Sequence, residues 1–366
     1  MRAARRALGL LVWTALAAAA ADRSPTFADE PRTPWRGVDA NYALEMEGGS
    51  RQWSLDGKPE DVFAILNRAG FDRFRVRLWV GDKGTNKLRY AIETARRAQD
   101  AGLRPYVVMF LSEDWADYVK QPAPREWRSL DFPARQKAVE AYAERAARAF
   151  AEAGVQVTEF EIGNEIDFGI CGEFEEEWAK RVSVPYLASV IWPRAAAVIA
   201  AAEAGVRRVN PEAKFILHIT QWWNPEFGAA FFSAMIKNGV TVDYAGLSFF
   251  PTSNLSEQNS LEYFLRQARA LHAAVDRPVV ICEYGYPAAA QFGGQFAEWN
   301  RPVAGFTLDE AGQAQWLRQF FQTVRESGFI EGTFYWSPEW NDSSMWSAFS
   351  LFDSAGRARA GLRVLP

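Results

Sequence analysis

Cysteine and histidine are nearly missing from this chain, with two of each among 366 residues. Cys171 and Cys282 give no disulfide framework. A single bridge between them is open in an oxidising compartment, but its geometry is demanding. With His218 and His272 as the only imidazoles, no paired-ligand zinc spacing exists. Basic runs are missing too, and acidic residues outnumber basic ones, 45 to 41. Nucleic acid is therefore not an expected partner. No Gly/Ser-rich linker or low-complexity tract divides the chain. What it has in quantity is tryptophan, 15 residues. Trp stacks well on sugar rings and also simply fills cores.

The N-terminus reads as a targeting segment. Arg2, Arg5 and Arg6 form a charged n-region, Leu8 to Ala18 is apolar, and Ala19-Ala20-Ala21 offers small residues for cleavage. Residues 1–21 are expected to be a signal peptide. The apolar run is short for a membrane span; an uncleaved anchor is the rival reading. Residues 22–35 read as a leader, polar and containing Pro. Without the signal segment the chain keeps 38 basic residues against 45 acidic ones, a net charge of about −7. Export to the periplasm or the medium is expected, as a monomer without stable membrane insertion.

From Arg36 onward, strand and helix patterns alternate. The strands are expected at Gly37–Asp39, Arg73–Val80, Arg104–Leu111, Val157–Glu165, Phe215–Ile219, Tyr244–Phe249, Val279–Glu283 and Gly332–Trp336. The helices between them are expected at Pro59–Arg68, Leu88–Ala101, Ala134–Glu152, Val184–Val209, Phe227–Lys237, Leu261–Val275 and Leu308–Glu326. Gly102, Gly154, Gly239 and Gly328 follow four of the helices as stop signals. Eight strands alternating with helices predict an α/β fold, a (β/α)8 TIM barrel, over residues 36–366 as a single domain. The segment after strand eight, ending at Pro366, is too short for a domain. It is expected to close the barrel as a strand-like piece and a helix.

Two strands end in a glutamate, Glu165 at the end of strand four and Glu283 at the end of strand seven. Strand tips of a parallel barrel lie on the face where active sites are built. Strands four and seven are across the mouth from one another, so the two carboxyls can meet. Glycoside hydrolysis needs such a pair. Either Glu alone reads equally well as a solvated loop residue; the two together do not. Alternation along Arg73–Val80 puts Phe74, Val76 and Leu78 on one face, and Arg75 and Arg77 on the other, inward one. Glu159 and Glu161 are expected on the inward face with Glu165. Buried charge must be paired, so an Arg–carboxylate network is expected beneath the site. For each Arg taken singly, a purely structural ion pair is an equal reading. If Glu283 points inward, alternation sends Cys282 outward to the helices as a small apolar residue.

These pieces resemble glycoside hydrolase family 53, the endo-β-1,4-galactanases. The motifs that carry the resemblance are Arg36-Gly37-Val38-Asp39, Arg75-Val76-Arg77-Leu78-Trp79-Val80, Asp114-Trp115-Ala116-Asp117 with Lys120-Gln121, and Ile162-Gly163-Asn164-Glu165-Ile166. His218, Gly246-Leu247-Ser248-Phe249-Phe250-Pro251, Glu283 with Tyr286-Pro287, and Phe334-Tyr335-Trp336-Ser337-Pro338-Glu339-Trp340 continue them. The resemblance implies a retaining endo-glycosidase acting on a β-linked plant-type polysaccharide, with β-1,4-galactan or arabinogalactan as the leading substrate. Glu165 would be the acid/base and Glu283 the nucleophile. Asp39, Asp117, His218, Trp115 and Trp336 would bind substrate, Trp336 as the floor of the subsite on the non-reducing side. Arg75, or failing it Arg77, would keep the nucleophile ionised. Asn164 would bond the 2-hydroxyl at the cleavage point. Trp222 and Trp223 are further candidates, with core packing as an even alternative.

The chain departs from the family at three places. Val108, Met109 and Phe110 replace Asp-Phe-His in strand three, Phe249-Phe250-Pro251 replaces Tyr-Tyr-Pro, and Ala288 replaces an aromatic. Two other readings therefore stay open: a hydrolase of the same clan with β-mannan or β-xylan specificity, and a carbohydrate-binding pseudo-enzyme. No cofactor is expected. Related bacterial enzymes bind calcium after strand eight, and Asn341-Asp342-Ser343-Ser344 offers oxygens there, but the segment reads as a solvated loop.

Overall fold

The computed structural model describes residues 33–253, 258–290, 296–342 and 346–364. The expected signal segment and the leader up to residue 32 lie outside them, as do Ser343 and Ser344 of the Asn341-Asp342-Ser343-Ser344 segment. The strands are β1 (Trp35–Asp39), β2 (Arg73–Leu78), β3 (Arg104–Met109) and β4 (Glu159–Ile162), then β5 (Lys214–Ile219), β6 (Tyr244–Phe249), β7 (Val279–Tyr284) and β8 (Ile330–Trp336). They pair in parallel, in the order β1-β8-β7-β6-β5-β4-β3-β2, and close into a barrel. The described residues form one compact unit.

Among the described residues, seven helices of seven or more residues cover the outside: α1 (Val62–Arg68), α2 (Leu88–Asp100), α3 (Phe132–Glu152), α4 (Trp192–Arg207), α5 (Pro225–Lys237), α6 (Leu261–Val275) and α7 (Glu310–Ser327). Short polar side chains start five of them. Asp61, Asp131, Asn224, Ser260 and Asp309 each accept a hydrogen bond from a backbone N–H of the first turn. Gly328, at φ 73°, closes α7 in the left-handed conformation that stop signals use. One helical stretch among the described residues, Val184–Arg207, is long and apolar enough to cross a membrane. Here it lies on the barrel, and its first turns are widened into a π segment at Leu187–Ile191.

Local chemistry moves three boundaries away from expectation. The first helix starts at Val62 rather than Pro59, because Lys58–Glu60 pairs antiparallel with Trp53–Leu55. Asp56 and Gly57, both at positive φ, make the two-residue turn. β4 ends at Ile162, since Gly163 turns to φ 80°. Among the described residues after β8 there is no closing α-helix. The chain makes single bridges, Ser54 to Arg357 and Phe352 to Ala358, and ends in a 3-10 turn at Ala360–Arg363.

The barrel interior has two layers. Tyr106, Ile216, Val280, Cys282 and Phe334 form an apolar plug. Above it lie buried Asp39, Arg75, Arg77, Glu161, His218 and Glu283. Cys282 corrects an expectation, since it faces this plug and not the helices. The reason is a bulge in β7. Pairing with β6 runs Ile281 to Leu247 and then jumps to Glu283 with Ser248. The extra residue breaks the alternation, so Cys282 and Glu283 both point inward while Ile281 and Tyr284 join the outer core. Cys171 and Cys282 are both free thiols, so the considered bridge is not made.

α3 and α4 pack closely, and Gly205 is the contact. A Cβ at Gly205 would stand 2.2 Å from the backbone oxygen of Glu140. Gly205→Ala must push two helices apart, and overpacking of this kind costs about 1–3 kcal/mol. Urea unfolding of the variant is expected to show that loss without a change in the dependence on urea.

Candidate active site

The site grows from Arg75 on β2. Its Nε and Nη2 donate to the two oxygens of Glu161, at 2.9 and 2.6 Å. Nη2 also donates to Asn164 Oδ1 at 2.7 Å. Nη1 donates to Asp39 Oδ2 and to Glu283 Oε1, both at 2.8 Å. All five N–H groups of the guanidinium are thus spent inside the barrel. Arg77 lies beside it, its Nη2 2.6 Å from Asp39 Oδ1 and 3.1 Å from Ser337 Oγ. The Arg77 guanidinium is boxed by the rings of Tyr42, Trp115 and Trp336, with centroids at 5.0–5.2 Å.

Glu165 sits outside this net. It does not extend β4. Gly163 and Glu165 both adopt positive φ, 80° and 51°, and for a glutamate such a backbone costs roughly 1–3 kcal/mol. The loop after β3 offsets that strain. Gln121 Nε2 donates to the backbone oxygen of Asn164 at 2.7 Å, and Ile166 N donates to His218 O on the other side at 2.9 Å. The Glu165 side chain then meets no arginine. Its Oε1 is 2.6 Å from Ser248 Oγ on β6.

The two carboxyls therefore sit in unequal fields. Burial and the charge of Glu283 hold Glu165 well above the usual carboxylate range. Burial also raises Glu283, to about 7, while Arg75 and Arg77 pull it back toward the ionised form. They cannot both ionise easily, and the cations stand on the Glu283 side. The proton belongs on Glu165. Burial opposes ionisation of Glu161 as well, but Arg75 and His218 hold it at about 2.

The residues picked from sequence divide into two groups. Glu165, Glu283, Asn164, Arg75, Arg77 and Asp39 meet in one cluster. Asn164 Oδ1 accepts from Arg75 Nη2 and one Nδ2 hydrogen goes to Ala116 O, which leaves its second Nδ2 hydrogen free of those two bonds. Asp39 is fully buried and engaged with Arg75, Arg77 and Asn41, so it braces the cations and does not line the cleft. His218 is likewise corrected. It is fully buried, with Nδ1 2.9 Å from Glu161 Oε1 and Nε2 2.8 Å from Ser248 Oγ. It lies beneath the site.

Trp115 is half-buried and edge-on to Trp336. Asp117 holds it through an Nε1–Oδ2 bond of 2.8 Å and caps the turn at Val119 and Lys120. Trp336 is 4% exposed, packed against Trp346 and Phe296. Trp222 is a core residue and Trp223 is exposed. Glu159 pairs with Arg73 at 3.8 Å. In the loop after β8, Asn341 Nδ2 donates to Asp353 O, and Asp342 Oδ1 accepts from Trp340 Nε1.

Sequence reasoning missed Ser248 and underrated Gln121. A serine in a strand of otherwise apolar residues was the available signal for the first. Glu161, His218 and Cys282 bring three ligand-type atoms within 4.8 Å of one another. The Arg75 guanidinium already occupies both Glu161 oxygens, and a cation there would be repelled.

Known proteins share this arrangement of chain. A family model described as glycosyl hydrolase family 53 matches residues 35–365. The arabinogalactan endo-β-1,4-galactanase of Humicola insolens is 27% identical over 342 residues, 90% of this chain and 98% of that one. The endo-β-1,4-galactanase of Bacillus subtilis strain 168 is 25% identical over 322 residues, 83% of this chain and 70% of that one. Among solved structures, the family 53 catalytic domain of Ignisphaera aggregans superposes with a TM-score of 0.78 at 25% identity, covering 92% of this chain and 96% of that one.

The raised carboxyls set the pH dependence of stability. Burial lifts Asp167 to about 6 and Glu339 to about 8. A carboxyl whose folded value lies above its unfolded one takes up a proton on folding. Its contribution is complete below the unfolded value, near 4, and is lost as pH rises through the folded one. Glu161 acts oppositely, with stability lost only as pH falls from about 4.5 toward about 2. The melting temperature is expected to fall from about pH 5 to about pH 8. Glu339→Gln should flatten the upper part of that fall. A thermal unfolding series against pH measures both, and a rise across the window would contradict the assignment.

Proposed function

The chain belongs to glycosyl hydrolase family 53, and on that premise we propose that it is an exported retaining endo-glycosidase cleaving β-1,4-galactan or arabinogalactan. The carrying observation is the unequal field at the two carboxyls: Glu283 rests on Arg75 at 2.8 Å, and Glu165 rests on a serine. In the first step the Glu283 carboxylate attacks the anomeric carbon. Glu165 gives its proton to the departing glycosidic oxygen, and a glycosyl ester forms on Glu283. In the second step Glu165 takes a proton from water. That water attacks the same carbon, and Glu283 leaves as carboxylate. The free Nδ2 hydrogen of Asn164 bonds the sugar 2-hydroxyl, and Trp115 with Trp336 forms the aromatic wall beside it. The galactan assignment follows the names of the relatives, and export follows the N-terminal pattern.

A second reading of specificity rests on β3. Val108 and Phe110 pack with Ala116 and against Trp115 and Trp79, an apolar wall where the resembled family carries Asp and His. Such a wall bonds no hydroxyl and favours a β-linked polysaccharide other than galactan. Reducing-sugar release from β-1,4-galactan, β-mannan and β-xylan decides between the two. Release from galactan alone upholds the first. No release from any polysaccharide would leave a binding protein.

Glu165→Gln and Glu283→Gln are each expected to remove nearly all turnover while leaving the fold intact, since an amide can fill neither role. Azide should restore turnover to Glu283→Ala with a glycosyl azide of inverted configuration. Full activity in either Gln variant would sink the pairing. Proton NMR of the earliest products is expected to show the anomer of the substrate linkage. The opposite anomer would rule out double displacement.

A further inference from the structure

Behind Glu165 runs a buried chain of four groups. Glu165 Oε1 meets Ser248 Oγ at 2.6 Å, Ser248 Oγ meets His218 Nε2 at 2.8 Å, and His218 Nδ1 meets Glu161 Oε1 at 2.9 Å. Each of the three links needs one hydrogen. Glu161 supplies none, because Arg75 keeps it ionised and it also accepts from Tyr106. His218 must therefore put a hydrogen on Nδ1. A neutral imidazole then has a bare Nε2, an acceptor only. The single hydrogen of Ser248 goes to that nitrogen. Nothing remains for the link between Ser248 and Glu165 except a hydrogen from Glu165 itself. The only other way to fill all three links is to protonate His218, which frees Ser248 to donate to a Glu165 carboxylate.

We propose that Glu165 and His218 share one proton through the Ser248 hydroxyl, which makes Ser248 and His218 positioning residues for the acid/base. The proposal rests on the reading of Glu165 as that acid/base. The exchange balances without a further reagent. The Glu165 O–H bond breaks as its hydrogen passes to Ser248 Oγ, and the hydrogen Ser248 held passes to His218 Nε2. A carboxylic acid and an imidazole become a carboxylate and an imidazolium. The imidazolium lies against Glu161 from β4, with Arg75 from β2, Asp39 from β1 and Cys282 from β7 nearby. Glu165 faces Glu283 from β7, Asp117 from the loop after β3, and Asp167. When Glu165 has given its proton to a leaving group, the chain is one hydrogen short. That shortage favours recapture of a proton from the attacking water in the second step.

The chain holds just two histidines, so nitrogen NMR of histidine-labelled protein can follow His218 directly. The expected spectrum is a neutral ring protonated on Nδ1. Its shifts should move with the midpoint of the basic limb of kcat/KM, and that movement should vanish in Glu165→Gln. Ser248→Ala removes the acceptor of the Glu165 proton. The basic limb is expected to move down by roughly half to one pH unit, the worth of one hydrogen bond, and Ser248→Thr should restore it. A serine that merely donates to ionised Glu165 predicts the reverse, an upward move. That upward move, a ring protonated on Nε2, or a His218 signal indifferent to Glu165→Gln would each overturn the proposal. If Ser248→Ala fails to fold, the comparison of wild type with Glu165→Gln still decides. That comparison needs no turnover, so a chain inactive on every polysaccharide would refute the catalytic reading while the shared proton is judged separately.

Discussion

One guanidinium holds this barrel's functional face together. Arg75 reaches β1 through Asp39, β4 through Glu161, the turn after β4 through Asn164, and β7 through Glu283. Burying it is costly, because an ion loses several kcal/mol of hydration on entering such a site. Only full satisfaction of its donors repays that. Within the layer the charges do not cancel. Arg75 and Arg77 face Asp39, Glu161 and Glu283 as carboxylates, so one negative charge is already in excess. Ionising Glu165 would add a second in the same low-dielectric space, and this is why burial and Glu283 keep its proton on.

Regular backbone alone does not deliver the two carboxyls. An unbroken β7 would have sent either Cys282 or Glu283 to the helices, and the bulge brings both inward. A longer β4 would have carried Asn164 and Glu165 on alternate faces. Instead the positive φ at Gly163 and Glu165 folds the strand end over, with Asn164 on Arg75 and Glu165 on Ser248. Both irregularities sit at the mouth, where strain serves function and is held by neighbours such as Gln121.

Much of this was legible in the chain. The period-2 pattern of Arg73–Leu78 is enough to turn Arg75 and Arg77 inward, and buried arginines demand the carboxylates that Glu161 and Glu283 provide. The strand-helix rhythm and the glycines after helices located the barrel. What stayed hidden depends on contacts distant in sequence. A bulge has no local signature in Val279–Glu283, so Cys282 was placed on the wrong side. The place of His218 beneath Glu165 is not legible, because a histidine on a strand looks the same whether its ring meets solvent or is closed off by Glu161 and Ser248. The hairpin of Trp53–Glu60 was legible in principle through Asp56-Gly57, but the apolar periodicity of Val62–Leu66 drew the helix too far forward.

The distribution of bonds also explains how this chain can differ from its relatives without losing the pair. Within the ionic layer each side chain is bonded to others in the layer. Removing Arg75 would leave buried carboxylates unpaired, a change costing several kcal/mol. The rim is built differently. Val108 and Phe110 pack with Ala116, Phe250 lies tilted against Trp299 and edge-on to Trp346, and the backbone N–H of Ala288 donates to Ala348 O in the loop after β8. These side chains carry no charge to strand. Apolar exchanges of that kind cost little when volume is kept. The layer that sets proton positions is therefore held fixed by electrostatics, and the rim that meets the sugar hydroxyls is free to change.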